Sequence, residues 1–228
     1  MQIDVLATGS KGNCYRVSDG KTSLLLEAGI PFSTIQEKLD YRVSEIAGCV
    51  ISHVHGDHAR AIPDLLRRGT KVYGPQQVAN RYPGVQSMPI LRMQMLGSFG
   101  VSPFLCNHDA ECYGYLIDSG YTGERLVYVT DTNWIPHTFT AVDYWMVEAN
   151  YDGEILMHNE LDGIVDRRRG SRIMQTHMSI EALTSYFEKD NPDPPKEVWL
   201  LHLSDDNSDA AAFRVTIEKA TGAVVHIA

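Results

Sequence analysis

The 228-residue sequence predicts an α/β fold, one domain over residues 1–228 with two groups of strands and helices outside them. Three observations predict it. Short β-branched and aliphatic runs alternate along the chain with segments of helical character. The composition, 43% hydrophobic and 21% charged, is that of an ordinary globular protein long enough to bury a real core. No Pro/Gly/Ser tract, internal repeat or low-complexity segment divides the chain, and PDPP at 192–195 is a local loop too short to separate domains.

In chain order, IDVLA (3–7), CYRV (14–17) and SLLLEA (23–28) read as strands joined by turns around Gly12-Asn13 and Asp19-Gly20. Pro31 starts a short helix with Phe32, Ile35 and Leu39 on one face. GCVIS (48–52) is a buried strand by composition, ARAIPDLLRRG is a helix closed by Gly69, and KVYG is another strand. SFGVSPFLCN (98–107) and YGYLID (113–118) bracket a loop with His108, RLVYVT (125–130) ends at Asp131, and DYWMVEAN (143–150) ends at Glu148 to Asn150. A polar helical stretch runs from Gly153 to Arg169, and Ser179 is the N-cap of SIEALTSYFEK (179–189). EVWLL (197–201) is a strand ending at His202, DAAAFRVTIEKATG (209–222) is a helix closed by Gly222, and AVVHIA is a final strand.

No apolar run approaches the ~20 residues that span a bilayer. Met1 leads directly into QIDVLATG without a basic and then apolar leader, so a cytoplasmic protein with no membrane partner is expected. Cys14, Cys49, Cys106 and Cys112 are scattered, with no C-x-x-C pair, which fits reduced core thiols. A net charge of −9 argues against a protein that coats nucleic acid electrostatically. It does not exclude an enzyme that binds phosphate locally, because divalent metals can supply the positive charge. The cluster Arg167, Arg168, Arg169 and Arg172 reads as a solvated helix end or turn before Gly170, or as a clamp on a phosphate backbone.

HVHGDH, residues 53–58, gathers three of the nine histidines and an aspartate. By chance that pattern is expected somewhere in such a chain with a probability of about one in a thousand, so it is a metal-site hypothesis. Neutral imidazole and carboxylate are the ligands of zinc and related divalent ions. A strand ending in a tight loop can aim His53 and His55 at one ion, and Asp57 and His58 at a second. His108, Asp131 and His202 also follow apolar runs, and strand C-terminal ends commonly collect catalytic groups.

HVHGDH, then His108 in CNHDAECYGYLI, Asp131 in VYVTDT and His202 in LLHLSDDN, resembles the metallo-β-lactamase superfamily over essentially the whole chain. That resemblance implies a four-layer αββα sandwich with a dinuclear site. LATGSKGNCYRV, VEANYD, THMS and LHLSDDN together resemble its YycJ/WalJ-like subgroup, which is associated with DNA exonuclease activity. Glu27 stands where such proteins commonly have Asp, and Tyr151 where this subgroup usually has His. The resemblance implies His53, His55 and His108 on one metal, and Asp57, His58 and His202 on the other, with Asp131 bridging them. Zn²⁺ suits the set, and Mn²⁺ is compatible with its carboxylates.

His177 in THMS resembles a histidine that assists the leaving group in related tRNA-processing phosphodiesterases, and Glu148 in VEAN resembles its acidic support. Read without the resemblance, His177 could cap the 179–189 helix and Glu148 lie at the surface. The expected activity is metal-dependent phosphodiester hydrolysis by a metal-bridging hydroxide, with DNA as substrate and an exonuclease mode. Asp57 is essential to it, and His177, tuned by Glu148, protonates the departing oxygen. Competing readings are hydrolysis of small cyclic nucleotides, of a thiolester or of a β-lactam, and a noncatalytic binding module. A homo-oligomer is compatible with the sequence, which names no protein partner.

Overall fold

Alternating apolar and polar residues in the opening runs produce an antiparallel meander. In the computed structural model, which describes residues 1–191 and 193–228, β1 (Gln2–Ala7), β2 (Cys14–Ser18) and β3 (Ser23–Leu26) pair in succession, with Val17 opposite both Ile3 and Leu24. Pro192 of the PDPP segment lies outside the described residues. Strands β4 (Ile46–Val50), β5 (Val72–Gly74) and β6 (Gln86–Ser87) add in parallel, giving a six-stranded sheet in the order β1-β2-β3-β4-β5-β6. Helix α1 (Phe32–Lys38) follows Pro31 and buries Ile35, with Leu39 just beyond its end.

The segment ARAIPDLLRRG departs from expectation. A single helical turn, α2 (Gly56–Ala59), starts within HVHGDH and takes up Ala59, and α3 (Ile62–Arg67) begins only at Ile62, with its proline in the first turn. Ile62 and Leu65 pack with Ile35, Leu25, Cys49 and Val72 in one core. The short elements α4 (Gln76–Arg81), β6 and β7 (Gln94–Leu96), and a 3₁₀ turn at Val43–Glu45, have no sequence expectation. They lack a run long enough to show a period. Strand β7 pairs antiparallel with β8 (Phe99–Cys106), which also neighbours β9 (Cys112–Ser119).

The chain separates into two compact units, residues 1–105 with 110–124, and residues 106–109 with 125–228. The second is built on β10 (Arg125–Val129), β11 (Tyr144–Glu148), β12 (Glu197–Leu201) and β13 (Val224–Ile227), all parallel and in that order. All five residues of β11 are buried, which is why the run YWMV is apolar on both faces rather than alternating before it ends in Glu148. Trp145 at its centre meets Phe139, Tyr186 and Phe187 edge-on, with ring centroids 5.8, 5.6 and 5.4 Å away.

The polar stretch expected as one helix over 153–169 is two, α5 (Gly153–Leu161) and α6 (Arg167–Thr176). Gly163, at φ 74°, turns the chain, and the Asp166 side chain accepts from the Arg168 and Arg169 N–H groups to start α6. The arginine cluster therefore opens a helix instead of closing one. Gly170 lies inside α6, where a Cβ would meet Glu160 Oε1 at 1.7 Å. The caps expected for α7 (Ile180–Lys189) and α8 (Ala210–Thr221) are present. The Ser179 Oγ accepts from the Ala182 N–H, and Gly222 ends α8 at φ 70°. All four cysteines are buried, and none is in a disulfide among the described residues. No helix among the described residues is long and apolar enough to cross a membrane.

Asp19 ties three turns of the first unit together. Its Oδ1 accepts from the Lys21 and Thr22 N–H groups at 2.9 and 2.8 Å, and its Oδ2 from Ser98 Oγ and Ser119 Oγ at 2.6 and 2.8 Å. Burial alone would raise its pKa, but the bonds from Ser98, Thr22, Ser119 and Lys21 prevail and hold the carboxyl below its ordinary value. The stabilisation is thus complete above the ordinary carboxylate pKa and is lost as pH falls through the lowered folded-state value. Asp19→Ala should cost about 2–3 kcal/mol in urea unfolding at pH 7. The gap from wild type should close on acidification; a pH-independent gap would contradict this account.

Candidate metal centre

Within the first unit, the motif loop is shaped by backbone before any ligand is considered. The Asn13 N–H donates to the Asp57 carbonyl and the Ala28 N–H to the His58 carbonyl, each at 2.8 Å, and the Gly29 N–H donates to the Asn13 carbonyl at 2.8 Å. A Cβ on Gly29 would lie 1.6 Å from the Asp57 carbonyl oxygen, so only glycine permits this approach. The Asn13 side chain extends the clamp. Its Oδ1 accepts from the Gly9 N–H and the buried Tyr15 hydroxyl, and its Nδ2 stands 3.1 Å from His58 Nε2.

This frame holds three imidazoles and two carboxylates together. His53 and His58 are fully buried, their ring centroids 4.2 Å apart. His53 Nδ1 engages Ser52 Oγ at 2.9 Å, while its Nε2 lies 3.0 Å from His55 Nδ1. Two imidazole nitrogens so placed need a proton or a cation between them, as a ligand pair does. His58 Nε2 lies 3.4 Å from Asp57 Oδ2, and its Nδ1 is 3.5 Å from Glu27 Oε2. Glu27 also accepts from the Ser52 N–H at 3.1 Å, so the substitution for Asp supplies a carboxylate long enough to reach both the strand end and His58.

Within the second unit, a second group forms around Glu148, which is fully buried. Its Oε1 lies 2.6 Å from His177 Nδ1 and 3.2 Å from His202 Nδ1, and its Oε2 accepts from the Thr132 and Met178 N–H groups at 3.2 and 3.1 Å. Burial would raise the Glu148 pKa, but the charge and hydrogen bond of His177 and the bond of His202 hold it down. Burial would lower the pKa of His177, but Glu148 raises it. His177 does not cap α7; it ends α6, and Glu148 is not at the surface. The His177 and His202 rings stack at 5.4 Å and 11°.

Asp131, at φ 50°, and His202, at φ 53°, both adopt the left-handed conformation just past the ends of β10 and β12. Glu27 does the same past β3 at φ 65°. Each departs from the strand's alternation at a cost of about 1–3 kcal/mol, which the surrounding bonds must offset. His202 Nε2 lies 3.9 Å from Asp131 Oδ1. Ligand atoms of Asp131, Glu148, His177 and His202 all lie within 4.8 Å of one another. His108 Nδ1 faces the Thr176 carbonyl at 3.2 Å, which fixes the ring and leaves Nε2 3.1 Å from Asp109 Oδ1. With Nδ1 engaged on both His108 and His202 and carboxylates beside the rings, the donor set fits a borderline divalent ion.

The arginine cluster is divided. Arg172 donates to Asp109 Oδ2 from Nε at 3.1 Å and from Nη2 at 2.9 Å, and Arg169 lies 3.7 Å from Asp206. Arg167 and Arg168 are exposed. Tyr151, which stands where histidine was expected, is no part of the imidazole group. It is buried and packs with Leu156, Val165 and Ile173. Asn13, Gly29 and Asn150, whose Nδ2 donates to the His202 carbonyl at 2.8 Å, are site-shaping residues that sequence reasoning did not single out. Asn13 and Asn150 left a trace only as members of the GSKGN and VEANYD runs, and Gly29 left none.

The family model described as a beta-lactamase superfamily domain matches residues 25–203. The chain is 23% identical over 237 residues to an exodeoxyribonuclease YycJ of Bacillus anthracis, covering 96% of this chain and 88% of that protein. It is 26% identical over 231 residues to an exodeoxyribonuclease WalJ of Streptococcus pneumoniae, covering 91% and 83%. The metallo-β-lactamase fold protein YhfI from Bacillus subtilis superposes with a TM-score of 0.74 at 17% identity, over 99% of this chain and 95% of that one. The fold class is the one expected.

Gly29→Ala should displace the Asp57 carbonyl and with it α2. Metal analysis of the purified variant should show loss of bound metal, and its melting temperature should fall. A metal-replete Gly29→Ala protein would show that the close approach does not shape the site.

Proposed function

The chain belongs to the metallo-β-lactamase superfamily, and on that premise we propose that it is a metal-dependent phosphodiesterase that degrades DNA from an end. The observation that carries this reading is the 2.6 Å contact of His177 Nδ1 with buried Glu148, in the group that also holds His202 and Asp131. A departing nucleoside alkoxide needs a proton, whereas a thiolate leaves without one. A histidine whose pKa is raised by a carboxylate therefore favours phosphodiester over thiolester substrates. The 23–26% identity to two exodeoxyribonucleases supports DNA and an exonuclease mode.

His53, His55 and His108 are proposed to hold one divalent ion, and Asp57, His58 and His202 the other, with Asp131 shared between them. Zn²⁺ is the ion best matched to this set, and Mn²⁺ is compatible. When bound, such ions act as Lewis acids and lower the pKa of water towards neutrality. The protein's own part is to fix rings and protons. Glu148 keeps the proton on His177 Nδ1 and sustains the charged ring, which delivers a proton from Nε2 to the departing oxygen. Glu27 and Asn13 hold His58, and the Thr176 carbonyl orients His108. Arg167 and Arg168 are proposed to contact substrate phosphates outside the reacting centre, with Arg169 and Arg172 partly committed to Asp206 and Asp109. A net charge of −9 favours a second reading, a small cyclic phosphodiester, because it repels a polyanion.

End-labelled DNA with a 5′ phosphate, incubated beside cyclic nucleotides, separates the two. Progressive release of mononucleotides from DNA is expected; intact DNA with hydrolysed cyclic nucleotide would overturn the exonuclease reading. Asp57→Ala should abolish both turnover and metal loading. His177→Ala should keep its metal and lose about 10²–10⁴-fold in kcat; normal turnover in that variant would remove His177 from the reaction. Replacing Arg167 and Arg168 together with Ala should raise KM for DNA and flatten its salt dependence. An unchanged salt slope would remove them from the substrate path.

A further inference from the structure

Trp134 is 53% exposed, whereas Trp145 is fully buried and Trp199 half-buried against His226. Its exposure is not that of a loose loop. The Thr132 Oγ1 donates to the Trp134 carbonyl at 2.9 Å and accepts from the Asn107 N–H at 3.1 Å. Asn107 Nδ2 donates to Asn133 Oδ1 at 2.8 Å. The Thr132 N–H is bound to Glu148, the carboxylate that also holds His177 and His202, and Ile135 on the other side is buried. The indole is thus presented to solvent from a segment fixed on both sides, three residues after Asp131 and on the frame that places the site histidines. Three residues of chain span at most about 11 Å, of the same order as one nucleotide from its phosphate to the far edge of its base.

We propose that Trp134 is a base-stacking platform of the substrate site, on which a nucleobase next to the scissile phosphodiester rests. The assignment rests on the phosphodiesterase reading and deepens it. It gives an acidic protein a way to hold a nucleic acid that does not depend on charge. A base offers a flat π-face whatever its identity, so stacking of this kind adds affinity with little sequence preference. It predicts recognition of unpaired bases, because a base inside a duplex is already stacked on both faces.

The test compares wild type, Trp134→Ala and Trp134→Phe on a 5′-phosphorylated oligothymidylate and on an abasic deoxyribose-phosphate oligomer of the same length. In wild type the KM for the abasic oligomer should exceed that for the base-bearing one by roughly tenfold or more. Trp134→Ala should bring the ratio towards one, and Trp134→Phe should restore most of it. Indole emission should be quenched by the base-bearing oligomer in wild type, with that quenching lost in Trp134→Phe. DNA hydrolysis with the same ratio in wild type and Trp134→Ala would overturn the stacking assignment and leave the nuclease reading standing. A wild-type protein that hydrolyses neither oligomer would overturn both.

Discussion

The buried carboxylate of Glu148 is the constraint around which the second unit is arranged. An ionised carboxylate removed from water is costly unless its lone pairs are occupied, and here two backbone N–H groups and two imidazoles occupy them. The donors come from three places in the sequence: the loop after β10, the junction of α6 and α7, and the end of β12. One charge therefore draws three chain segments together, and each brings a side chain that chemistry can use. Asp131 and His202 are held in left-handed conformations that an isolated strand end would not choose. The cooperative gain of the network offsets that strain, and geometry at His177 and His202 follows from it.

The first unit reaches its arrangement by close backbone approach. Gly29 has no side chain because the Asp57 carbonyl occupies that space, and Asn13 satisfies polar groups on the β1–β2 turn and on the motif loop. Glu27 then bridges the β4 strand end to His58. The resulting ring cluster is rigid because it is surrounded by fixed backbone, which is how a site keeps ligands in place before an ion arrives. The two units use the same physics in different forms. A buried polar group is affordable where every partner is supplied, and its partners are then locked.

Much of the fold was legible because its strongest elements are long and periodic, or entirely apolar. The four parallel strands of the second unit, the hairpins of the first, and the capped helices α7 and α8 lie where Ser179, Asp209, Gly222 and the aliphatic runs put them. The misreadings have local causes. The stretch from Gly153 to Arg169 has no strong apolar stripe, so a break at Gly163 and a fresh cap at Asp166 left no mark on its period. In α2 a single helical turn is too short to have a period at all, and it is held in place by hydrogen bonds from the distant backbone of Asn13 and Ala28.

The sequence by itself determined the chemistry of the ligands. Three histidines and an aspartate within residues 53–58, and further strands ending in His and Asp, are a donor set that suits borderline divalent ions. It also determined the fold class, since alternation and apolar runs act over a few residues. What only the tertiary structure decided was which nitrogen each histidine presents, which carboxylate holds His177, why residue 29 is glycine, and which arginines remain uncommitted at the surface. Those facts depend on contacts between residues 29 and 57, 148 and 177, or 109 and 172. A pattern that decays within a helical turn or a strand carries no information about partners so far apart in the chain.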